Sequence, residues 1–95
     1  KSMNGRRIEY IEHSTKYLRS FRKLPQPLQQ KATKKERIFC QDPFDARLKT
    51  HKLHGVFADY CAYSVDYTYR VIFRFLDEHT AFFFDIGSHR IYGIA

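Results

Sequence analysis

Apolar side chains in the first half of the chain recur at the three- and four-residue spacing of amphipathic helices. In the first such segment, where basic residues lie between them, they are Tyr17, Leu18, Phe21 and Leu24. Ser14 or Thr15 can cap this helix, because a hydroxyl oxygen accepts an unpaired backbone N–H of the first turn. Pro25 and Pro27 end it and start a second predicted helix from about Gln26 to Gln41. The apolar stripe of the second helix is Leu28, Ala32, Ile38 and Phe39.

The second half of the chain changes to the two-residue alternation that is typical of β-strands. The three predicted strands cover residues 56–65, 68–76 and 80–86. Residues 77–79 form a short turn between the last two, which predicts a hairpin. Shorter signals predict a first strand at 7–11, a loop with some helical potential at 43–55 and a strand-like piece around 90–92.

The alternation divides the side chains of each strand between two faces of the predicted sheet. In the second strand one face carries Tyr69, Val71, Phe73 and Phe75. The other face carries Thr68, Arg70, Ile72 and Arg74. In the third strand, the residues that we expect on the face meeting the helices are Phe82, Phe84 and Ile86. The face away from the helices is therefore expected to be partly polar and basic, either as a nucleic-acid site or as a solvated surface.

Helices followed by strands predict an α+β fold, in which an N-terminal helical hairpin packs on a small antiparallel β-sheet. The expected order of elements is β-α-α-β-β-β. The length fits one domain over residues 3–95, with Met3 as the natural start and residues 1 and 2 left over from expression. No apolar run is long enough to cross a bilayer and no signal-peptide pattern opens the chain, so the expected location is the cytoplasm.

Charge is the most informative part of the composition. The net charge is +7, and residues 1–55 hold 14 Lys and Arg against 5 Asp and Glu, whereas residues 56–95 hold 3 against 5. Such a basic half suits phosphates, an anionic membrane, an acidic partner chain or a solvated face. Cys40 and Cys61 are interpreted as reduced thiols, and no Cys/His cluster has the spacing of a metal site. We therefore expect neither a metal nor another cofactor.

Three segments together resemble the RelE/ParE superfamily of toxins. Lys52-Leu53-His54-Gly55 is similar to the family's K-L-x-G turn, Tyr69-Arg70-Val71-Ile72-Phe73 to its Tyr-Arg strand, and Asp85-Ile86-Gly87-Ser88-His89-Arg90-Ile91-Tyr92-Gly93 to its closing G-x-H/R-x-x-Y signature. They follow in the family's order and spacing, behind a helical hairpin, so the resemblance covers nearly the whole chain. The histidines of loop 49–55 and the Gly87-Ser88-His89 turn are most similar to the YafQ-like branch.

The resemblance implies a toxin of a toxin–antitoxin pair. Members of the YafQ-like branch are ribosome-dependent endoribonucleases, usually encoded beside an antitoxin that covers the active site. The implied partners are therefore a cognate antitoxin, mRNA and the ribosome, with no membrane. RNA cleavage by its own 2′-hydroxyl needs a base, an acid and cations that stabilise the phosphorane, and no metal. Histidine suits both proton transfers because its unperturbed pKa is about 6.5, and Arg and Lys suit the third role.

Position in the family's motifs suggests the catalytic residues. His89 lies where the family carries a catalytic His or Arg, as general acid or phosphate contact, and His51 matches the loop histidine, as base. Tyr92 can stack on a base, orient a phosphate or pack at the sheet edge, and Arg74 can clamp the scissile phosphate. The candidate RNA-binding residues are Lys49, Lys52, His54, Arg70 and Arg90. For each histidine the alternative is a solvated position without a role.

The chain also departs from the family's patterns. The YafQ-like branch carries a further histidine where this chain has Ser64, and an Asp-Trp pair where it has Thr68-Tyr69 with Asp66 nearby. The RelE type uses several lysines and arginines on the strand where this chain has Cys61, Tyr63 and Val65. Two alternatives to the nuclease therefore stay open: a ParE-type toxin that poisons DNA gyrase without catalysis, and a degenerate member that only binds its antitoxin or nucleic acid.

Overall fold

A computed structural model of the protein describes residues 7–88 and residue 90. Its helices and strands are β1 (Tyr10–His13), α1 (Thr15–Arg22), α2 (Gln26–Gln41), β2 (His51–Lys52), β3 (Cys61–Ser64), β4 (Tyr69–Asp77) and β5 (Thr80–Ser88). Single 3₁₀ turns lie at Ala46–Leu48 and Gly55–Phe57. The strands form a sheet in the order β1-β5-β4-β3-β2, in which the β1–β5 pair is parallel and the other pairs are antiparallel. The predicted α+β class is confirmed, and so is the span of the second helix.

The first strand begins later than predicted, at Tyr10, because the preceding backbone is bound elsewhere. The N–H of Ile8 donates to the carbonyl of Cys40 at the end of α2, at 2.8 Å. The N–H groups of Glu9 and Tyr10 both donate to the carbonyl of His79 in the β4–β5 turn. Residues 8 and 9 therefore join the start of the sheet to α2 and to the hairpin.

The strand predicted at 56–65 was too long, and the loop at 43–55 was predicted to contain no strand. Between Gly55 and Tyr60 the backbone turns twice, with Ala58 N–H donating to the Gly55 carbonyl and Tyr60 N–H to the Phe57 carbonyl. A regular strand therefore starts only at Cys61, and β2 pairs with it from within the predicted loop. Of the strand-like piece around 90–92, only Arg90 lies within the described residues.

The main core lies between the helices and one face of the sheet, here called the near face. Its buried residues are Ile8, Tyr17, Ala32, Phe39, Leu48, Tyr63, Val65, Val71, Phe73, Ala81, Phe83 and Ile86. Phe39 of α2 is fully buried, and its ring centroid lies 4.8 Å from that of Phe73 and 5.1 Å from that of Tyr63. The predicted near-face residues of β4 are confirmed, because Tyr69, Val71, Phe73 and Phe75 all belong to this core or pack against it.

The predicted faces of β5 were wrong for Phe82 and Phe84 and right for Ile86. Val71 pairs with Ile86, Ile72 with Asp85 and Phe73 with Phe83, so β5 has one extra residue at Phe84. A bulge of this kind shifts the alternation of side chains by one position. Phe83 therefore enters the main core, and Phe84 packs against a second cluster on the opposite face.

Two serines fasten α1 to β5. Ser14 caps the helix as predicted, since its Oγ accepts from the Tyr17 N–H at 2.8 Å and donates to the Phe84 carbonyl at 2.6 Å. Ser20 Oγ donates to the buried Asp85 carboxylate at 2.7 Å, and the Lys16 ammonium lies 3.8 Å from the same carboxylate. These contacts bridge the bulge, so the first helix holds the irregular part of β5 in place. Neither α1 nor α2 is long and apolar enough to cross a membrane.

Candidate nucleic-acid interface

The sheet face that points away from the helices, here called the far face, carries several of the candidate site residues. Ala62 pairs with His51 of β2 on one side and with Ile72 of β4 on the other. Ser64 likewise pairs with Arg70. Residues directly opposite one another in antiparallel strands point to the same face, so His51 shares the far face with Arg70.

The far face carries Arg70 and Arg74, as predicted, but its centre is apolar. Leu53, Ala62 and Ile72 are buried there, and three aromatic rings pack on them: Phe57, Tyr60 and Phe84. The covering rings come from the turns at 55–60 and from the bulge of β5, neither of which the alternation pattern predicts. Polar groups therefore remain at the two ends of the far face and along the β2 edge.

His51 is held in an orientation that suits a general base. Its Nδ1 lies 3.0 Å from the carbonyl oxygen of Lys49. A carbonyl oxygen only accepts, so Nδ1 carries the hydrogen, and in the neutral ring Nε2 keeps its lone pair. Lys49 adopts a left-handed backbone conformation with φ 53°, which places its carbonyl next to the His51 ring. The ring itself is exposed, so a ligand can reach it.

The loop that follows β2 forms a hollow of about 480 Å³, lined by residues 51–57. Lys52 closes one side, because its ammonium donates to the carbonyl of Ala58 at 3.0 Å. His54 is exposed at the start of the 3₁₀ turn, and its side chain does not cap that turn. Gly55 has φ 68°, a backbone conformation that is strained for residues with a side chain. The space around its Cα is open, so the strain and not crowding favours glycine here. Lys52 and His54 thus line the same hollow as His51.

Arg70 is used in the β3–β4 connection. One of its guanidinium nitrogens, Nη1, donates to the carbonyls of Asp66, Tyr67 and Tyr69, at 2.8, 3.1 and 3.1 Å. The carboxylate of Asp66 accepts from the backbone N–H groups of Thr68 and Tyr69 at 2.9 and 2.7 Å. Asp66 therefore serves the turn itself, which we call the 66–69 turn, and the remaining guanidinium nitrogens of Arg70 are available to a ligand.

Arg74 lies on the same strand and face as Arg70 but in a different environment. Its guanidinium carbon is 5.9 Å from the ring centroids of Tyr60 and Phe82, and the side chain is exposed. Four residues of strand separate the two arginines by about 13 Å. The structure therefore does not bring Arg74 to the end of the sheet where Arg70 lies.

The closing segment runs beside Arg70. Tyr69 pairs with Ser88 and Arg70 with Gly87, and the N–H of the exposed Arg90 donates to Ser88 Oγ at 3.4 Å. Arg90 and Arg70 therefore share one end of the sheet. His51 lies two strands and two residues from Arg70, a Cα separation of about 12 Å from sheet spacings. The candidates His89 and Tyr92 lie outside the described residues.

Charge on the interface is uncompensated. Within residues 7–88 and 90, no carboxylate forms an ion pair with the candidate cations, which are Lys49, Lys52, Arg70, Arg74 and Arg90. The described part of the chain also contains no group of His, Cys, Asp and Glu that could hold a metal ion. The arrangement thus offers exposed cations and a histidine base to an anionic ligand.

The departures from the family's patterns have structural explanations. Tyr63 and Val65 are fully buried on the near face, so neither side chain can contact a ligand, and burial raises the pKa of the Tyr63 phenol. Ser64 is nearly buried on the far face opposite Arg70. Sequence reasoning missed Tyr60, which supports Arg74, and Tyr67, which is 95% exposed in the 66–69 turn. In the sequence, the only signal that Tyr67 is exposed was its position between two residues that favour turns, Asp66 and Thr68.

Comparison with known proteins gives a fold and no close relative. No family model and no curated protein sequence matches the chain. A chain of the RelBE2 toxin–antitoxin complex from Mycobacterium tuberculosis is similar with a TM-score of 0.73 and 19% identity, covering 86% of this chain and 92% of that one. The YoeB/ParE toxin from Agrobacterium tumefaciens gives 0.73 and 14%, covering 85% and 99%. A chain of the DinJ–YafQ complex from E. coli gives 0.70 and 20%, covering 90% and 96%.

At these identities the similarity is one of fold. Each neighbour is matched over more than nine-tenths of its own length, so the two helices and the sheet correspond as a unit. The resemblance predicted from the three sequence segments is therefore confirmed at the level of structure: this chain has the fold of the RelE-, YafQ- and YoeB-type toxins.

Proposed function

We propose that this protein is the toxin of a toxin–antitoxin pair and that it cleaves mRNA during translation on the ribosome. The observation that carries the proposal is His51, whose Nδ1–H is bound by the Lys49 carbonyl so that Nε2 stays free on a face with uncompensated cations. Further support comes from structural neighbours that are themselves toxins or toxin–antitoxin complexes.

The proposed mechanism is metal-free acid–base catalysis. Nε2 of His51 takes the proton of the 2′-hydroxyl, whose oxygen attacks the adjacent phosphorus. His89 donates a proton to the departing 5′-oxygen, a role assigned by its position in the closing motif. Arg70 and Arg90, at the same end of the sheet as that motif, stabilise the charge of the phosphorane. Lys49, Lys52 and His54 contact the flanking backbone, and Tyr92 stacks on a base or orients a phosphate.

The proposed protein partner is an acidic antitoxin. Residues 1–55 carry most of the positive charge of the chain. A groove of about 600 Å³ between β1, α1 and α2 is lined by apolar Leu18 and Phe21 together with the exposed Arg7 and Arg37. Such a groove suits an acidic amphipathic segment. Co-purification of this protein with the product of a neighbouring gene tests the partnership directly.

The experiment that tests the nuclease is induced expression with primer extension on a translated message. We expect growth arrest and new mRNA ends with the natural chain, and loss of both with His51→Ala and with His89→Ala. The His79→Ala variant is a matched control, because His79 is also exposed and its Nδ1 also lies 3.0 Å from a backbone carbonyl, but in the β4–β5 turn. Unchanged cleavage by the His51→Ala variant would remove the base from the mechanism.

The ParE-type alternative is supported by one observation, the similarity to a structure named as a YoeB/ParE toxin. A gyrase poison needs a docking surface and no base, so its activity would survive both histidine substitutions. Supercoiling assays with purified gyrase separate the two functions. Inhibition of gyrase together with intact mRNA would replace the nuclease proposal, and the absence of any growth arrest would indicate a member that only binds.

A further inference from the structure

Tyr67 is the most exposed large hydrophobic side chain among the described residues, at 95%. It lies at the tip of the 66–69 turn, next to Arg70 and therefore at the end of the sheet where β5 finishes. Because this ring buries almost no surface, it contributes almost nothing to the stability of the fold. A ring in that position is available to a ligand that binds along the far face.

The backbone that carries Tyr67 is unusually well fixed for a surface turn. The Asp66 carboxylate accepts two backbone N–H groups, and the guanidinium of Arg70 binds three carbonyls, one of which belongs to Tyr67 itself. The second carboxylate oxygen of Asp66 lies 4.0 Å from the Lys31 ammonium of α2. None of these contacts involves the Tyr67 ring. Asp66 and Arg70 therefore fix the backbone of the turn, and the ring remains exposed to solvent.

An exposed aromatic ring on a fixed backbone, beside uncompensated cations, has the chemistry of a base-stacking platform for single-stranded RNA. The fixed backbone favours stacking, because only the side-chain torsions of Tyr67 have to be ordered when a base binds. We propose that Tyr67 stacks on an unpaired RNA base next to the scissile phosphate and so positions the substrate strand. This inference rests on the proposed function for the identity of the ligand and adds a residue to that function.

Fluorescence tests the stacking directly, because the natural chain contains no tryptophan. The Tyr67→Trp variant therefore has a single tryptophan emission. We expect that emission to be quenched, with saturation, by a short single-stranded RNA whose 2′-hydroxyls are methylated and which therefore cannot be cleaved. The Tyr10→Trp variant is the matched control, because Tyr10 is 67% exposed on β1, at the edge of the sheet beyond β5. Its emission should stay unchanged.

Kinetics of cleavage on the ribosome provide the second readout. The Tyr67→Ala variant should raise KM about tenfold with kcat little changed, Tyr67→Phe should behave as the natural chain, and thermal unfolding should be the same for all three. A Tyr67→Trp emission that RNA leaves unchanged overturns the inference, and so does quenching by an antitoxin alone. Quenching by RNA in a protein that cleaves nothing would instead disprove the nuclease and leave the stacking site standing.

Discussion

The two faces of the sheet are built on opposite principles. On the near face, rings from β3, β4 and β5 pack around Phe39 of α2, and side chains such as Tyr63 are fully buried. Among the described residues of the far face, the buried apolar side chains are Leu53, Ala62 and Ile72, and cations without acidic partners surround them. The difference indicates that the near face supplies most of the packed core, while the far face keeps exposed cations that an anionic ligand can bind.

The largest effect is expected from removing the central ring of the near face. Phe39→Ala should lower the free energy of unfolding by about 3–5 kcal/mol, because it creates a cavity among four aromatic rings. The far-face control is Tyr60→Ala, which removes a half-buried ring and should cost clearly less. Urea unfolding followed by circular dichroism measures both. Equal losses in the two variants would contradict the division of roles between the faces.

Alkaline pH should lower the free energy of unfolding through two tyrosines of the near-face core. Burial, with the charge of Glu36, raises the pKa values of Tyr17 and Tyr63 above their ordinary value of 10.0. The unfolded chain then releases these protons at lower pH than the folded protein, so stability is complete below about pH 10 and falls as pH rises further. The expected slope is about 1.4 kcal/mol per pH unit for each phenol.

Urea midpoints between pH 8 and pH 11.5 test this dependence. Tyr17→Phe and Tyr63→Phe should each flatten the decline above pH 10, whereas the exposed Tyr10→Phe should not. Cys40 and Cys61 also have pKa values raised by burial, and they add a smaller decline that starts near pH 9. Cys→Ala variants separate that contribution. A midpoint that does not change with pH would show that the phenols ionise freely in the folded state.

The smallest effect, and the sharpest comparison, concerns the two arginines of β4. Arg70→Met should cost about 1–3 kcal/mol of stability, because three carbonyls lose a charged donor. Arg74→Met should cost at most about 1 kcal/mol, since only ring contacts are lost. For RNA binding, loss of Arg74 should lower the salt slope of log K by about 0.7 if it contacts one phosphate.

Thermal unfolding and filter binding at several salt concentrations give both quantities for the two variants. The Arg74→Lys variant keeps the charge and should retain the salt slope, which separates loss of charge from loss of shape. An unchanged slope in Arg74→Met would restrict Arg74 to packing on Tyr60 and Phe82.

The spacing of apolar residues was sufficient to predict the helices and strands in which that spacing is regular from end to end. Residues 26–41 and the faces of β4 were predicted correctly because each has a single regular pattern. The faces of β5 were not, because Phe82, Phe83 and Phe84 are chemically identical and nothing in the sequence marks the extra residue. The shortness of β3 was missed for a related reason, since apolar Val56 and Phe57 resemble strand residues but lie in a turn.

The arrangement of the candidate residues follows only in part from the sequence. Arg70 and Arg74 share a face, as their spacing predicts, whereas the position of His51 on the same face was not predicted. The hydrogen bonds that distinguish the two arginines depend on the carbonyls of the 66–69 turn, whose geometry no local pattern specifies. Tyr67 was overlooked because an aromatic residue in a turn is ordinary in sequence, and only its exposure makes it notable.

The parallel pairing of β1 with β5 has a consequence for how the chain is made. Tyr10 lies opposite Thr80 and Ser14 binds Phe84, so residues near the start of the chain pair in the sheet with residues synthesised about seventy positions later. Contacts of such long sequence separation close large loops and form slowly. Until β5 has emerged from the ribosome, β1 has no strand to pair with, so the sheet gains this edge only after residues 80–88 have been translated.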